Sequence, residues 1–66
     1  MEELGMVLLR RRQDLRITQQ ELADLSGVGI NTIVAIENHS GNPSFKTLMK
    51  IINALGLELS IKPRTL

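Results

Sequence analysis

Few residue types in this 66-residue chain could do chemistry, and their spacing argues against catalysis. The chain has no cysteine and a single histidine, His39, so it offers neither a thiolate metal site nor a histidine cluster. No nucleophile lies near a base, no glycine-rich run is suited to cradle a phosphate, and no paired carboxylates mark a cleft. We therefore expect no enzyme activity, no cofactor and no bound metal ion.

The polar residues with a distinctive spacing lie where helices begin, which indicates hydrogen bonding rather than catalysis. Thr18-Gln19-Gln20-Glu21 is a capping box, in which a hydroxyl and a carboxylate three residues apart each bond the other's backbone amide. Ser44 stands in the same place before a later apolar run. Both residues predict the first turn of a helix.

Apolar residues at helical spacing predict the elements that hold these groups. We expect helices over about residues 2–14, 19–26, 30–38 and 45–55, with Gly27 and Gly56 as turn residues after the second and the fourth. In the first helix the residues at helical spacing are Leu4, Leu8, Arg11 and Leu15, with Val7 beside them. The predicted inward-facing residues of the other helices are Leu22, Ala23, Leu25, Ile33, Ile36, Phe45, Leu48, Ile52 and Leu55.

The end of the chain, GLELSIKPRTL, alternates apolar and polar residues and so predicts a strand over residues 57–62. A lone strand has unpaired backbone groups, and no second alternating run exists in this chain. We therefore predict that the strand pairs with its own copy in a homodimer. The predicted interface residues are Leu57, Leu59, Ser60 and Ile61. The open alternative is a frayed chain end.

The bulk composition indicates one small domain with a nearly neutral charge. The net charge is +1 and the isoelectric point about 8.3, less basic than many nucleic-acid-binding domains. No apolar run approaches the roughly 18 residues of a membrane span, so we expect no membrane association. The acidic start does not resemble a signal peptide, and we expect a cytoplasmic protein.

Residues 18–38 have the spacing of a helix-turn-helix. Small Ala23 lies where two helices cross, Gly27 follows at the turn, and Val28, Ile33 and Ile36 bury the next helix. The stretch TQQELADLSGVGINTIVAIEN resembles the Cro/repressor-type (XRE) helix-turn-helix of bacterial and phage regulators. The continuation GNPSFKTLMKIINALGLELSIKPR resembles that of HipB-like antitoxins.

This resemblance implies an all-α fold: a four- to five-helix, lambda-repressor-like DNA-binding domain over residues 1–56, with the strand at 57–62 pairing across a homodimer. It also implies an ion pair between Arg12 and Glu37 that holds the third helix at its angle. The third helix would enter the major groove, and the start of the fourth would hold a phosphate. The implied DNA-binding residues are Gln19, Gly29, Ile30, Asn31, Thr32, Val34, Ala35, Asn38, Ser44, Lys46 and Thr47.

The implied function is that of a sequence-specific repressor acting on an inverted-repeat operator in double-stranded DNA, within the nucleoid. By resemblance it is the antitoxin of a toxin–antitoxin operon, repressing its own promoter and binding a HipA-like kinase toxin. Two departures stand against the pattern: Arg16 occupies a turn position where glycine is common, and the third helix, INTIVAIEN, is mostly apolar. The rival interpretation is therefore a protein-interaction module with little DNA binding.

Overall fold

The computed structural model of the chain describes residues 2–64, with side chains from Glu3 onward. It contains four helices: α1 (Glu2–Asp14), α2 (Gln19–Ser26), α3 (Ile30–Glu37) and α4 (Phe45–Ala54). The prediction of an all-α fold is confirmed. Residues 57–64 have no regular secondary structure, so the predicted strand is not formed within a single chain, and its pairing across a dimer stays a prediction. Residue 1, which the predicted domain includes, lies outside the described residues.

The helix-turn-helix is fixed by local signals at both ends of α2. The Glu21 backbone N–H donates to Thr18 Oγ1 at 3.0 Å, and the Thr18 N–H donates to Glu21 Oε1 at 2.8 Å. At the other end Gly27 adopts a left-handed conformation with φ 73°, which a residue with a side chain would adopt only with strain. The chain can therefore reverse tightly and begin α3 at Ile30.

The core lies where α3 packs on α1 and α2, and where α4 packs on α2. Every buried apolar side chain is aliphatic, since the single phenylalanine is not among them. None of the four helices in residues 2–64 has the length and apolar character to cross a bilayer. The buried apolar residues are Leu8, Leu22, Ala23, Val28, Ile33, Ile36, Leu48, Ile51, Ile52 and Leu55.

The prediction of an inward-facing side chain is wrong for two residues. Leu25 and Phe45 are each 65% exposed. Leu25 lies outside the inner stripe of α2, which is formed by Leu22 and Ala23. Phe45 is the first residue of α4 and lies before the part of that helix that is buried. Two residues at the predicted spacing in and after the first helix, Val7 and Leu15, are also exposed at 52% and 41%.

The backbones of α1 and α3 touch at Gly5, a contact that the sequence pattern did not predict. Gly5 is buried, and an added Cβ there would press directly on the carbonyl oxygen of Ile36. A Cβ of ordinary size would therefore force the two helices apart. Glycine at this position lets α1 lie against the last turn of α3.

The end of α4 is closed by a set of hydrogen bonds around Gly56, which has φ 67°. The Gly56 N–H donates to Asn53 O at 3.1 Å, and the Leu57 N–H donates to Ile52 O at 3.0 Å. These are the two bonds of a Schellman motif. Leu57 is half-buried against the core of its own chain, as the apolar contact of such a motif requires. Leu57 therefore belongs to the folded domain, whichever partner the following residues take.

Candidate functional site

A bidentate ion pair links the end of α3 to α1. Arg12 Nε lies 2.7 Å from Glu37 Oε2, and Arg12 Nη2 donates to Glu37 Oε1 at 3.0 Å. The Arg12 side chain is 13% exposed and that of Glu37 is 4% exposed. The third nitrogen, Arg12 Nη1, donates to the Ile17 carbonyl oxygen at 2.8 Å. The orientation of α3 is thus fixed by two charge-assisted hydrogen bonds to Glu37 in a largely dry environment, while the third bond holds Arg12 to the connection between α1 and α2.

Gln19 joins the same cluster, which sequence reasoning did not foresee. Its side-chain Nε2 donates to Glu37 Oε1 at 2.9 Å, so the Glu37 carboxylate accepts from both α1 and α2. No buried side-chain polar atom lacks a hydrogen-bond partner in the described residues. A half-buried Gln19 held in this way keeps one N–H and its carbonyl oxygen for an external partner. No signal in the sequence links these residues, which lie 18 positions apart.

The cluster also fixes the charge of Arg12. The pKa of Arg12 is raised above its usual value, first because Glu37 accepts its hydrogen bond and further because of the carboxylate's negative charge, while burial acts in the opposite direction. A base with a raised pKa in the folded state adds stability that is fully present below its pKa in the unfolded state. That stability is lost only as pH rises through the higher folded pKa, so the contribution of Arg12 is fully present at neutral pH.

The outer face of α3 offers hydrogen-bonding groups at its start and apolar groups along its length. Asn31 is the one exposed residue of the helix, and Gly29 and Asn38 are exposed on either side of it. Ile30 is half-buried and packs against the core. The other candidate DNA-binding residues on this helix are half-buried: Thr32, Val34 and Ala35.

An open cleft of about 390 Å³ joins the outer face of α3 to the start of α4. Asn31 and Thr32 line one side, Thr47 lines the other, and Asn42 and Pro43 lie between them. Ala35 also lines the cleft, and its Cβ lies 3.3 Å from the position that a Cβ on Gly41 would take. The structure therefore brings four of the candidate residues to one concave surface: Asn31, Thr32, Ala35 and Thr47.

The first turn of α4 has the features of an anion-binding helix end. Ser44 Oγ accepts from the Thr47 N–H at 3.1 Å, and the Ser44 hydroxyl donates to Thr47 Oγ1 at 3.0 Å. The N–H groups of Phe45 and Lys46 precede the first intrahelical bond and lie at the positive end of the helix dipole. Lys46 is exposed and adds a full positive charge. This turn is chemically suited to a phosphate group.

The candidate dimer residues have different environments. Leu57 packs on its own core, as described above. Leu59 is 38% exposed and Ile61 is 84% exposed, and Ser60 between them is exposed as well. Two large apolar side chains thus face solvent in a short segment that follows α4.

Comparisons with known proteins place this chain in one family. The chain matches the family described as helix-turn-helix over residues 8–62. It is 45% identical over 56 residues to an uncharacterized HTH-type transcriptional regulator from Haemophilus influenzae, covering 85% of this chain and 57% of that protein. It is 38% identical over 52 residues to an uncharacterized HTH-type transcriptional regulator from Methanothermobacter thermautotrophicus, covering 79% of this chain and 75% of that protein. The matched region thus spans little more than half the length of the first relative.

Proposed function

The chain belongs to the helix-turn-helix family, whose matched members here are transcriptional regulators, and we propose that it represses transcription by binding a specific operator in double-stranded DNA. The observation that carries the proposal is the partly buried Arg12–Glu37–Gln19 cluster. This cluster fixes α3 from inside and leaves Asn31 on its outer face exposed. A protein with this role acts at the nucleoid, in the cytoplasm, and needs no catalytic group.

Phosphate binding by α4 supports the proposal. The exposed Lys46 and the free N–H groups of the first turn lie across a cleft from α3, so one helix can contact bases while the other contacts the backbone. Gln19, with one N–H still free at the start of α2, is suited to a second phosphate. In this division of labour, α4 and Gln19 set the position on the duplex and α3 reads the sequence.

Base reading by α3 combines one polar residue with several apolar ones. Asn31 is the only α3 side chain that is both exposed and capable of a bidentate contact with adenine. Ile30, Val34 and Ala35 present only carbon atoms, which can contact the methyl group of thymine in the major groove. Replacing every operator thymine by uracil should therefore weaken binding measurably. Equal affinity for the two operators would remove thymine methyls from the recognition scheme.

Dimerisation through the segment after α4 is the second part of the proposal. Leu59 and Ile61 are exposed in the single chain, and pairing residues 57–62 with a second copy would cover them. A two-fold dimer would present two α3 helices to one side of a duplex, so the operator should be an inverted repeat with half-sites about one helical turn apart or a multiple of it. Deleting residues 58–66 keeps Leu57 and the closure of α4, and should leave a folded monomer. A truncated chain that still sediments as a dimer would exclude this segment as the interface.

The rival function, a protein-interaction module, draws support from the apolar face of α3 and the net charge of only +1. Salt dependence separates the two. A dimer contacting about six to ten phosphates should lose on the order of a thousandfold or more in affinity between about 50 and 200 mM salt. A duplex of random sequence and equal length serves as the control for sequence specificity. Absent or salt-insensitive binding to DNA would support the protein-interaction module and exclude the proposed repressor function.

As a finer proposal, we infer an antitoxin that represses its own operon and binds a HipA-like kinase toxin. Its support is the resemblance of residues 41–64 to the continuation of HipB-like antitoxins. The test is to express the chain together with the product of its neighbouring gene. A kinase-like neighbour that arrests growth alone, and copurifies with this chain in harmless form, is the expected result. A neighbouring gene with no such effect would leave a plain repressor.

A further inference from the structure

Arg11 makes a contact that neither the DNA-binding surface nor the core requires. Its Nε donates to the carbonyl oxygen of Leu55 at 2.9 Å, across 44 positions of sequence. Its Nη2 lies 3.6 Å from the position that a Cβ on Gly56 would occupy. The guanidinium of the half-buried Arg11 therefore lies against the carbonyl of Leu55, which caps α4, and against Gly56, where the chain leaves that helix.

Arg11 and Arg12 are adjacent on α1 but serve different parts of the molecule. Arg12 holds α3 through Glu37, whereas Arg11 holds the exit of α4 at Leu55 and Gly56. Neighbouring residues on a helix point about 100° apart, so one helical turn reaches both elements. The last turn of α1 thus connects the base-reading helix to the start of the segment that carries Leu59 and Ile61.

The direction in which the segment leaves α4 is set at Gly56 and Leu57. Both N–H groups are bound to carbonyl oxygens of α4, and the Leu55 carbonyl directly before them is bound by Arg11. From Glu58 to Arg64 every residue is exposed and without regular structure. A segment that is anchored at its first residue has less conformational freedom to lose when it pairs with another strand.

We propose that Arg11 is a positioning residue for dimerisation: it holds the exit of α4 so that residues 57–62 of two copies meet in one register. The proposal rests on the proposed dimer and adds the residue that directs it. In this role Arg11 also fixes the angle between the dimer interface and α1, and through Arg12 the separation of the two α3 helices.

The test compares Arg11→Met with Arg10→Met in the full chain. Methionine keeps the apolar stem and removes the charge and the donors, and Arg10 is an exposed arginine on the same helix. Sedimentation equilibrium gives the dimer dissociation constant, and urea unfolding followed by circular dichroism checks that each variant is folded. The Arg11–Leu55 bond lies within each chain, so its loss acts on dimerisation only through the two segments, which are then less anchored and lose more conformational freedom when they pair. Arg11→Met should therefore raise the dissociation constant about tenfold or more, and Arg10→Met should not change it.

A structural cap alone would lower the urea midpoint of Arg11→Met and leave the dissociation constant of the folded protein unchanged, which would overturn the proposal. Equal weakening by Arg10→Met would also overturn it, because general charge would then be the cause. If Arg11→Met does not fold, Arg11→Lys keeps the charge at the end of α4 but lacks the Nε donor, and should still weaken the dimer about threefold or more. A wild-type monomer would instead reject the proposed dimer itself, an outcome distinct from a dimer that is indifferent to Arg11.

Discussion

Removing Arg12 should cost a large part of the stability of this domain. Arg12→Met leaves Glu37, only 4% exposed, without its cation and with Gln19 as its remaining side-chain donor. Breaking a buried ion pair on one side costs about 3–5 kcal/mol. Native domains have about 0.05–0.15 kcal/mol per residue, so a chain of 66 residues has roughly 3–10 kcal/mol in all. We therefore expect a loss of about 3 kcal/mol or more, enough to unfold the protein if its stability lies at the low end of that range.

The assay is urea unfolding followed by far-ultraviolet circular dichroism, because the chain contains no tryptophan or tyrosine for fluorescence. Arg10→Met is the control, and as an exposed substitution it should change the free energy of unfolding by no more than about 0.5 kcal/mol. The double variant Arg12→Met with Glu37→Met should recover most of the loss, since no uncompensated charge stays buried. A loss below about 1 kcal/mol for Arg12→Met would mean that the pair behaves as an ordinary surface ion pair. If the double variant lost as much free energy of unfolding as the two single variants together, the cost would not come from an uncompensated buried charge, and the burial argument would be refuted.

Four further outcomes follow from single side chains. Gly5→Ala should lower the free energy of unfolding, measured with urea, by about 1–3 kcal/mol, because the alanine Cβ meets the Ile36 carbonyl. The better helix propensity of alanine acts in the opposite direction, and an unchanged free energy would mean that α1 and α3 can separate freely. Arg16→Gly should raise the free energy of unfolding by about 0.5–1 kcal/mol, since Arg16 has φ 58°; a loss would show that its side chain offsets the strain. Asn31→Ala should weaken operator binding by about 1–3 kcal/mol in a titration, and an equal loss on random duplex would show that it does not read bases. Lys46→Ala should weaken all duplexes alike and lower the salt slope by about one, whereas a sequence-dependent effect would remove it from the phosphate contacts.

Helix boundaries were predictable because they depend on neighbouring residues. Thr18 and Ser44 bond backbone groups only three positions away, and Gly27 and Gly56 take the left-handed conformation where the chain turns. These interactions are complete within one turn, so the sequence alone contains them. The same holds for the apolar residues in the middle of each helix, such as Leu48, whose burial follows from spacing.

Long-range contacts were not predictable in the same way. The bond from Arg11 to Leu55 and the bond from Gln19 to Glu37 join residues that come together only after the helices have packed. Leu25 and Phe45 show the converse, since spacing suggests an inward position but the packed helices leave both exposed. A period of 3.6 residues defines a stripe on a helix, and an eight-residue helix has too few turns to define its edge.

The inward position of Glu37 has a consequence for how such a regulator could change its target. Glu37 is the only charged residue of α3, and its charge is paired with Arg12 inside the fold. The outer face of α3 is thus electrically neutral, and in the proposed DNA complex the attraction to any duplex would come from Lys46 and the start of α4. In that proposed complex, non-specific affinity and sequence preference would depend on different elements. Under this proposal, substitutions at exposed α3 positions such as Asn31 would alter which operator is preferred and leave the rate of searching along DNA unchanged. The preferred operator could then diverge among relatives without a change in non-specific affinity for DNA.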